Sequence, residues 1–228
     1  MKESFRNGTL QYVWGDFKEV SASSADFLAE MMETAALRQK ELRRVRLASI
    51  VDVLVSAGKL WNDRSCHLRR KALENMPALT GFHQCMIEKA LDAMASLLTR
   101  ESLELKVRRE LGDPALLDRW SGTESSGLSV MAGPLGTVLH VSAGNVFVGA
   151  VDSLVAGFLS KNVNILKCSG ADPLFPMLFA QSLREADGEG LLSGSFSVLS
   201  FSSDDVDTTR FLKERCDAIV VWGGSEAV

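Results

Sequence analysis

Apolar residues repeat along this chain with two different rhythms. From residue 24 to about residue 111 they return every three or four positions; beyond residue 127 short continuous apolar runs alternate with helical stretches. Leu28, Met31, Met32 and Ala35 follow the spacing of one helix face, and Leu47, Ile50, Val51 and Leu54 repeat it. The pattern predicts helix over 24–57 with Gly58 as its stop. Helix resumes over 64–76 and is expected to stop near Pro77. Ile87, Ala90, Leu91, Met94 and Leu98 form a further stripe, and Glu101–Leu111 another helix, closed by Gly112-Asp113-Pro114. Met31, Met32, Met76, Met86 and Met94 lie on these stripes and read as core filling rather than an adaptable binding face. Residues 1–20 are mixed, with Tyr12, Val13, Trp14 and Phe17 as possible anchors.

The loop SGTESSG at 121–127 separates the two rhythms. After it, strands are predicted at Leu128–Met131, Thr137–Val141, Val163–Lys167, Phe196–Phe201 and Ala218–Trp222, with helices at 147–160, 173–186 and 205–214. Alternation of this kind predicts an α/β fold: a helical N-terminal region (1–120) packed on a Rossmann-like, mainly parallel sheet with helices on both faces (121–228). Gly133 to Gly170 reads as a βαβ unit of ordinary size. Val148, Val151, Val155, Phe158 and Leu159 give its helix, Lys161-Asn162 the helix end, and Lys167 the carboxyl end of its second strand. No internal repeat is visible.

Composition narrows the function classes. The chain has 228 residues, 46% apolar and 24% charged, with net charge −4; this is a globular composition with no electrostatic reason to expect nucleic acid. No apolar run approaches the roughly 20 residues of a membrane span, and the N-terminus has no signal-like apolar segment, so a cytoplasmic protein is expected. Cys66, Cys85, Cys168 and Cys216 lack CxxC spacing, which argues against a structural zinc site, and a reducing compartment argues against a disulfide framework. Arg38, Lys40, Arg43, Arg44 and Arg46 read as a solvated face with Glu41 as partial partner, ahead of a phosphate-binding patch.

Three features carry candidate chemistry. Asn145, in a small-residue loop before a helix, either aims its amide at a developing oxyanion or caps that helix. Lys167, at a strand end, either holds a ribose or phosphate or is a surface lysine. Gly223-Gly224-Ser225 follows a strand and opens a would-be helix, either receiving a pyrophosphate or serving as a plain turn. There is no GxGxxG and no P-loop. Cys168 beside Lys167 is expected to pack inward, because adjacent strand residues face opposite ways. His140 reads as structural; His67 and His83 have no visible partners, and Cys66, Cys85 and Cys216 read as inert.

Taken together, these features resemble the aldehyde dehydrogenase superfamily. The wording VLHVSAGNVFVGAVDSLVAGFLSKNVNILKCSG, followed by DAIVVWGGSEAV, is similar to its LuxC-type acyl-CoA reductase branch, which supplies long-chain aldehyde in bacterial luminescence. The resemblance is strong over about 128–228. It implies that Asn145 is an oxyanion donor, that Ser142 and Ala143 lie beside the nicotinamide, and that Lys167 binds the adenine ribose or its phosphate. It also places Ser169 and Gly170 in the cofactor site and turns Gly224 and Ser225 toward the pyrophosphate. Many NAD-preferring members carry a glutamate where this chain has Gly170; without that carboxylate a 2′-phosphate meets no like charge, so NADPH is expected over NADH.

The implied reaction is reduction of a long-chain fatty acyl-CoA to fatty aldehyde through a cysteine thioester. The family's nucleophile lies downstream of the GGS turn, so residues 121–228 are expected to be a partial cofactor domain, with the catalytic domain absent and no reductase activity by itself. A homodimer through cofactor domains is implied by resemblance. Two alternatives remain: a relative acting on a short acyl-CoA or acyl phosphate, and a non-catalytic nucleotide-binding or assembly module.

Overall fold

The computed structural model describes residues 10–122, 127–142 and 147–223. Four strands predicted from short apolar runs form the parallel part of the sheet: β5 (Thr137–Val141), β6 (Val163–Lys167), β7 (Phe196–Leu199) and β8 (Ala218–Val221). Every residue of β6 and β7 is buried. Such strands read as continuous apolar runs because helices cover both sheet faces. Register is parallel throughout, and one row of the sheet runs Val221, Val141, Lys167, Leu199 along the strands' carboxyl ends.

An N-terminal hairpin extends this sheet. β1 (Leu10–Val13) and β2 (Asp16–Glu19) pair antiparallel, and β1 also pairs antiparallel with β7, giving the order β2-β1-β7-β6-β5-β8. The two-residue turn Trp14-Gly15 has φ of 50° and 100°, as the tight hairpin turn with the twist of its strands requires. Tyr12, Val13, Trp14 and Phe17 do anchor this segment, Tyr12, Val13 and Phe17 from the strands and Trp14 from the turn.

The helices divide between the two faces. On one side lie α1 (Ala25–Leu42) and α8 (Val206–Arg215), where Leu28, Met31 and Leu212 meet Leu139, Ile165 and Leu199. On the other lie α2 (Leu47–Asn62), α3 (His67–Thr80), α4 (Gln84–Leu97), α5 (Arg100–Leu111), α6 (Phe147–Leu159) and α7 (Phe175–Ala186). These share a larger core with Val163, Leu166, Cys168, Phe196 and Val198.

Several boundaries differ from the sequence pattern. The single helix expected over 24–57 is two, because Asp118 accepts hydrogen bonds from Leu47 N at 3.0 and 3.3 Å and so starts a new helix after Arg43–Arg46. Gly58 does not stop α2. A Cβ there would lie 2.6 Å from Leu98 Cβ and 2.8 Å from its carbonyl oxygen, so glycine permits the crossing with the end of α4. Pro77 lies inside α3, which closes at Gly81 in the left-handed conformation. The fully buried Met76 beside Pro77 keeps this stretch in the core, so the helix tolerates the one lost N–H bond. Leu128–Met131 contributes only Ser129–Val130 (β4), paired with Ser121–Gly122 (β3) in a separate exposed ribbon.

Candidate functional site

In chain order the parallel strands lie 3-2-1-4 across the sheet: β7, β6, β5, β8. Chain direction across the sheet therefore reverses at β5, whose neighbours β6 and β8 are reached by connections to opposite sides. Open α/β sheets bind ligands beyond the carboxyl ends of the strands at such a switch point. Ser142 follows β5 there, Lys167 ends β6, and Trp222-Gly223 follows β8, with Trp222 N bonded to the Val141 carbonyl at 3.0 Å.

Ser142 fastens two of these strand ends together. Its Oγ donates to the Lys167 carbonyl at 3.1 Å and accepts from Ser169 N at 3.1 Å, while its own N–H reaches the Lys167 carbonyl at 3.3 Å. Ser169 Oγ in turn accepts from Ala171 N at 3.2 Å. Gly170 is exposed, and a Cβ built on it would meet nothing within 4 Å, so a larger residue would fit. Asn145, Ala143, Gly224 and Ser225 lie outside the described residues. Ser142, Lys167, Ser169 and Gly170 are thus brought together at one strand edge.

Lys167 is 9% exposed. Its Nζ lies 5.0 Å from the centroid of the Phe201 ring and 3.4 Å from Ser203 Oγ. Among the described residues it has no carboxylate partner within ion-pair distance. Burial holds the ammonium below the ordinary lysine range. Phe201 and Ser203 were not legible as site residues. The strand was predicted to run to Phe201, with Ser203 just beyond it, but the ladder ends at Leu199. There the Gln11 side chain takes over, accepting from Ser200 N at 2.7 Å and donating to its carbonyl at 3.2 Å. The chain then leaves the sheet and brings Phe201 beside Lys167.

Cys168 faces the opposite core and is 2% exposed; burial pushes its thiol far up, against a nucleophilic role. Burial pushes Cys216 up to about 12. Cys85 is exposed, its Sγ 3.0 Å from His83 Nδ1 at the start of α4. His67 pairs with Glu185 at 3.3 Å, so both histidines that looked solitary have neighbours.

His140 is structural and its tautomer can be assigned. Asn164 Nδ2 donates to the Asn162 carbonyl, so Asn164 Oδ1 faces His140 Nε2 at 2.9 Å and accepts from it. Nδ1 then accepts from Ser153 Oγ at 2.7 Å. Burial depresses the imidazole's pKa, consistent with this neutral form clamping α6 to β5 and β6.

The carboxylate of Asp172 accepts Phe175 N at 3.0 Å at the head of α7. It is buried, and burial raises it to about 6 against the pull of those backbone bonds. The basic loop Arg43–Arg46 lies at the other end of the sheet. Gln39 bonds the Lys161 carbonyl and Val163 N at the amino end of β6, and Lys161 Nζ, 2.7 Å from Asp118 Oδ1, ties the start of α2 to that end. A phosphate patch there would lie away from the strands' carboxyl ends. Among the described residues no helix is long and apolar enough to cross a membrane.

The family model for acyl-CoA reductase (LuxC) matches residues 42–228, more than four fifths of the chain. The chain belongs to the acyl-CoA reductase (LuxC) family. Relatives of this family include the long-chain acyl-protein thioester reductases of Aliivibrio fischeri, 27% identical over 88% of this chain and 42% of that protein, and of Photorhabdus laumondii, 27% over 82% and 39%. The chain spans about two fifths of the length of the curated relatives it matches. Solved structures similar in fold include a mutant aldehyde dehydrogenase C from Pseudomonas syringae, with TM-score 0.71 and 15% identity over 94% of this chain and 45% of that one. Succinic semialdehyde dehydrogenase of Streptococcus pyogenes gives TM-score 0.66 at 18% identity over 93% and 50%. The α/β architecture of this LuxC-family chain is therefore that of the aldehyde dehydrogenases.

Proposed function

We propose that this LuxC-family chain holds the nicotinamide cofactor and one oxyanion donor of an NADPH-dependent reductase of long-chain acyl thioesters. The observation that carries the reading is a nearly buried ammonium, Lys167, without a carboxylate partner among the described residues, at the strand edge where sheet topology calls for a ligand. A buried cation without a counter-ion is costly, and an anionic ligand relieves that cost. Gly170 supports the phosphorylated dinucleotide: its surroundings admit a carboxylate, yet none is present. The curated relatives are named for acyl-protein thioesters and the family for acyl-CoA. Both are acyl thioesters with the same electrophilic carbonyl. The structures of two neighbours are described with NADP or NADP+ and one with NAD+ and octanal.

In this reading a thiolate attacks the acyl thioester and expels the carrier thiol. Asn145 donates to the oxyanion that develops on the carbonyl. When bound, the reduced cofactor would supply the hydride that converts the enzyme-held thioester to aldehyde. Ser142 and Ser169 keep the β5 and β6 ends in register beneath the cofactor, and Lys167 supplies positive charge. Cys168 and Cys216, with thiols raised by burial, do not serve as the nucleophile, and no cysteine of this chain is assigned that role.

The test is a titration of the protein with NADPH and NADH. Tighter NADPH binding is expected, and Gly170→Glu should reverse the preference. Tighter binding of NADH by the unaltered protein would overturn the cofactor assignment.

A further inference from the structure

We infer that the segment after β7, through Phe201 and Ser203, completes the subsite for the 2′-phosphate and sets the preference for a phosphorylated dinucleotide. The inference rests on the NADPH reading above and adds to it the residues that make Lys167 a phosphate receptor. A lysine at a strand end has four rotatable bonds and many directions open to it. Here the Phe201 ring face, 5.0 Å from Nζ, attracts the ammonium and limits those directions. Ser203 Oγ, 3.4 Å from Nζ, stands on the solvent side, where Ser203 is exposed while Lys167 is not. An anion arriving from solvent would meet the hydroxyl and the ammonium together. The hydroxyl at present accepts from the ammonium; with a phosphate in place it is free to turn and donate.

The neighbouring charges agree with this assignment. Asp205 is turned away, capping α8 through Thr208 N at 3.0 Å and Thr208 Oγ1 at 2.8 Å and bonded to the Ser23 hydroxyl. Asp204 is exposed, its backbone N bonded to Ser202 Oγ. The segment's position is fixed from outside the parallel sheet: Gln11 of the N-terminal hairpin holds Ser200 by both of its backbone groups. Phe201 is a positioning residue for Lys167, and Ser203 is a direct ligand of the phosphate.

The pair 2′,5′-ADP and 5′-AMP isolates this subsite, since the two differ only by the 2′-phosphate. Their affinities for the full chain are measured by calorimetry, together with the Lys167 titration by NMR. Unaltered protein should bind 2′,5′-ADP more tightly than 5′-AMP. Ser203→Ala, an exposed change, should weaken 2′,5′-ADP about tenfold, the loss of one charge-assisted hydrogen bond, and leave 5′-AMP unchanged. Phe201→Leu keeps the packing but removes the ring face; it should also weaken 2′,5′-ADP selectively and shift the Lys167 titration. If the unaltered protein does not distinguish the two nucleotides, the NADPH reading itself falls. If it does, and both variants distinguish them equally well, the NADPH reading stands and the role of Phe201 and Ser203 is overturned.

Discussion

Three titratable side chains near the sheet's carboxyl end are shifted by burial, the two bases downward and the acid upward. Lys167 and His140 are held down, while Asp172 is raised to about 6 from an ordinary 3.8. For Asp172 the folded state favours the protonated carboxyl, so its contribution to stability is fully present below about pH 3.8 and is lost as pH rises through about 6. Asp172→Asn keeps an oxygen acceptor for Phe175 N and removes the titration. The variant should gain stability relative to the unaltered protein between pH 4 and pH 7, by on the order of 2–3 kcal/mol. Urea unfolding at several pH values measures it, and a difference independent of pH would refute the burial argument. His140 acts in the opposite sense: its stabilising neutral form is favoured above the unfolded pKa and its contribution fades as pH falls.

The split between α1 and α2 shows how an element boundary can be set from far away in sequence. Nothing in Arg43–Arg46 is a helix breaker by composition, and the periodic stripe continues on both sides. Asp118, some seventy residues later, receives Leu47 N and pairs with Lys161, whose side chain is 4% exposed. One carboxylate thus caps a helix and neutralises a buried ammonium at the amino end of β6. Asp118→Ala leaves that ammonium with the Leu117 carbonyl alone among the contacts made here. The expected cost is about 3 kcal/mol, the low end for an orphaned buried charge because Asp118 itself is one-third exposed. The denaturation midpoint should fall accordingly, and Lys161→Met in the same background should restore part of it. An unchanged midpoint in the single variant would show the pair to be ornamental.

At the scale of the molecule, the 3-2-1-4 strand order concentrates the candidate chemistry on one edge and leaves the basic loop on the other. Trp222 marks that edge: it is 44% exposed and its N–H bonds the end of β5. NADPH binding should therefore change tryptophan emission, and Trp222→Phe should remove most of the change while leaving affinity within a few-fold. A signal that persists in the variant would move the dinucleotide away from the β5–β8 switch point.

Local sequence determined the elements whose burial pattern is complete in itself. β5, β6, α6 and α5 lie where apolar runs and stripes put them, because a strand covered on both faces or a helix buried along one stripe carries its own signature. Lys167 at a strand end was legible for the same reason. Tertiary structure alone decided what depends on partners distant in the chain. The N-terminal hairpin is a strand pair because β7 offers an open edge. Gly58 continues a helix because Leu98 crosses it. Phe201 leaves the ladder for Lys167 because Gln11, 189 residues earlier than Ser200, takes the next pair of backbone bonds. Hydrophobic periodicity records which face is covered; it holds no record of which distant group satisfies a backbone amide or a buried charge.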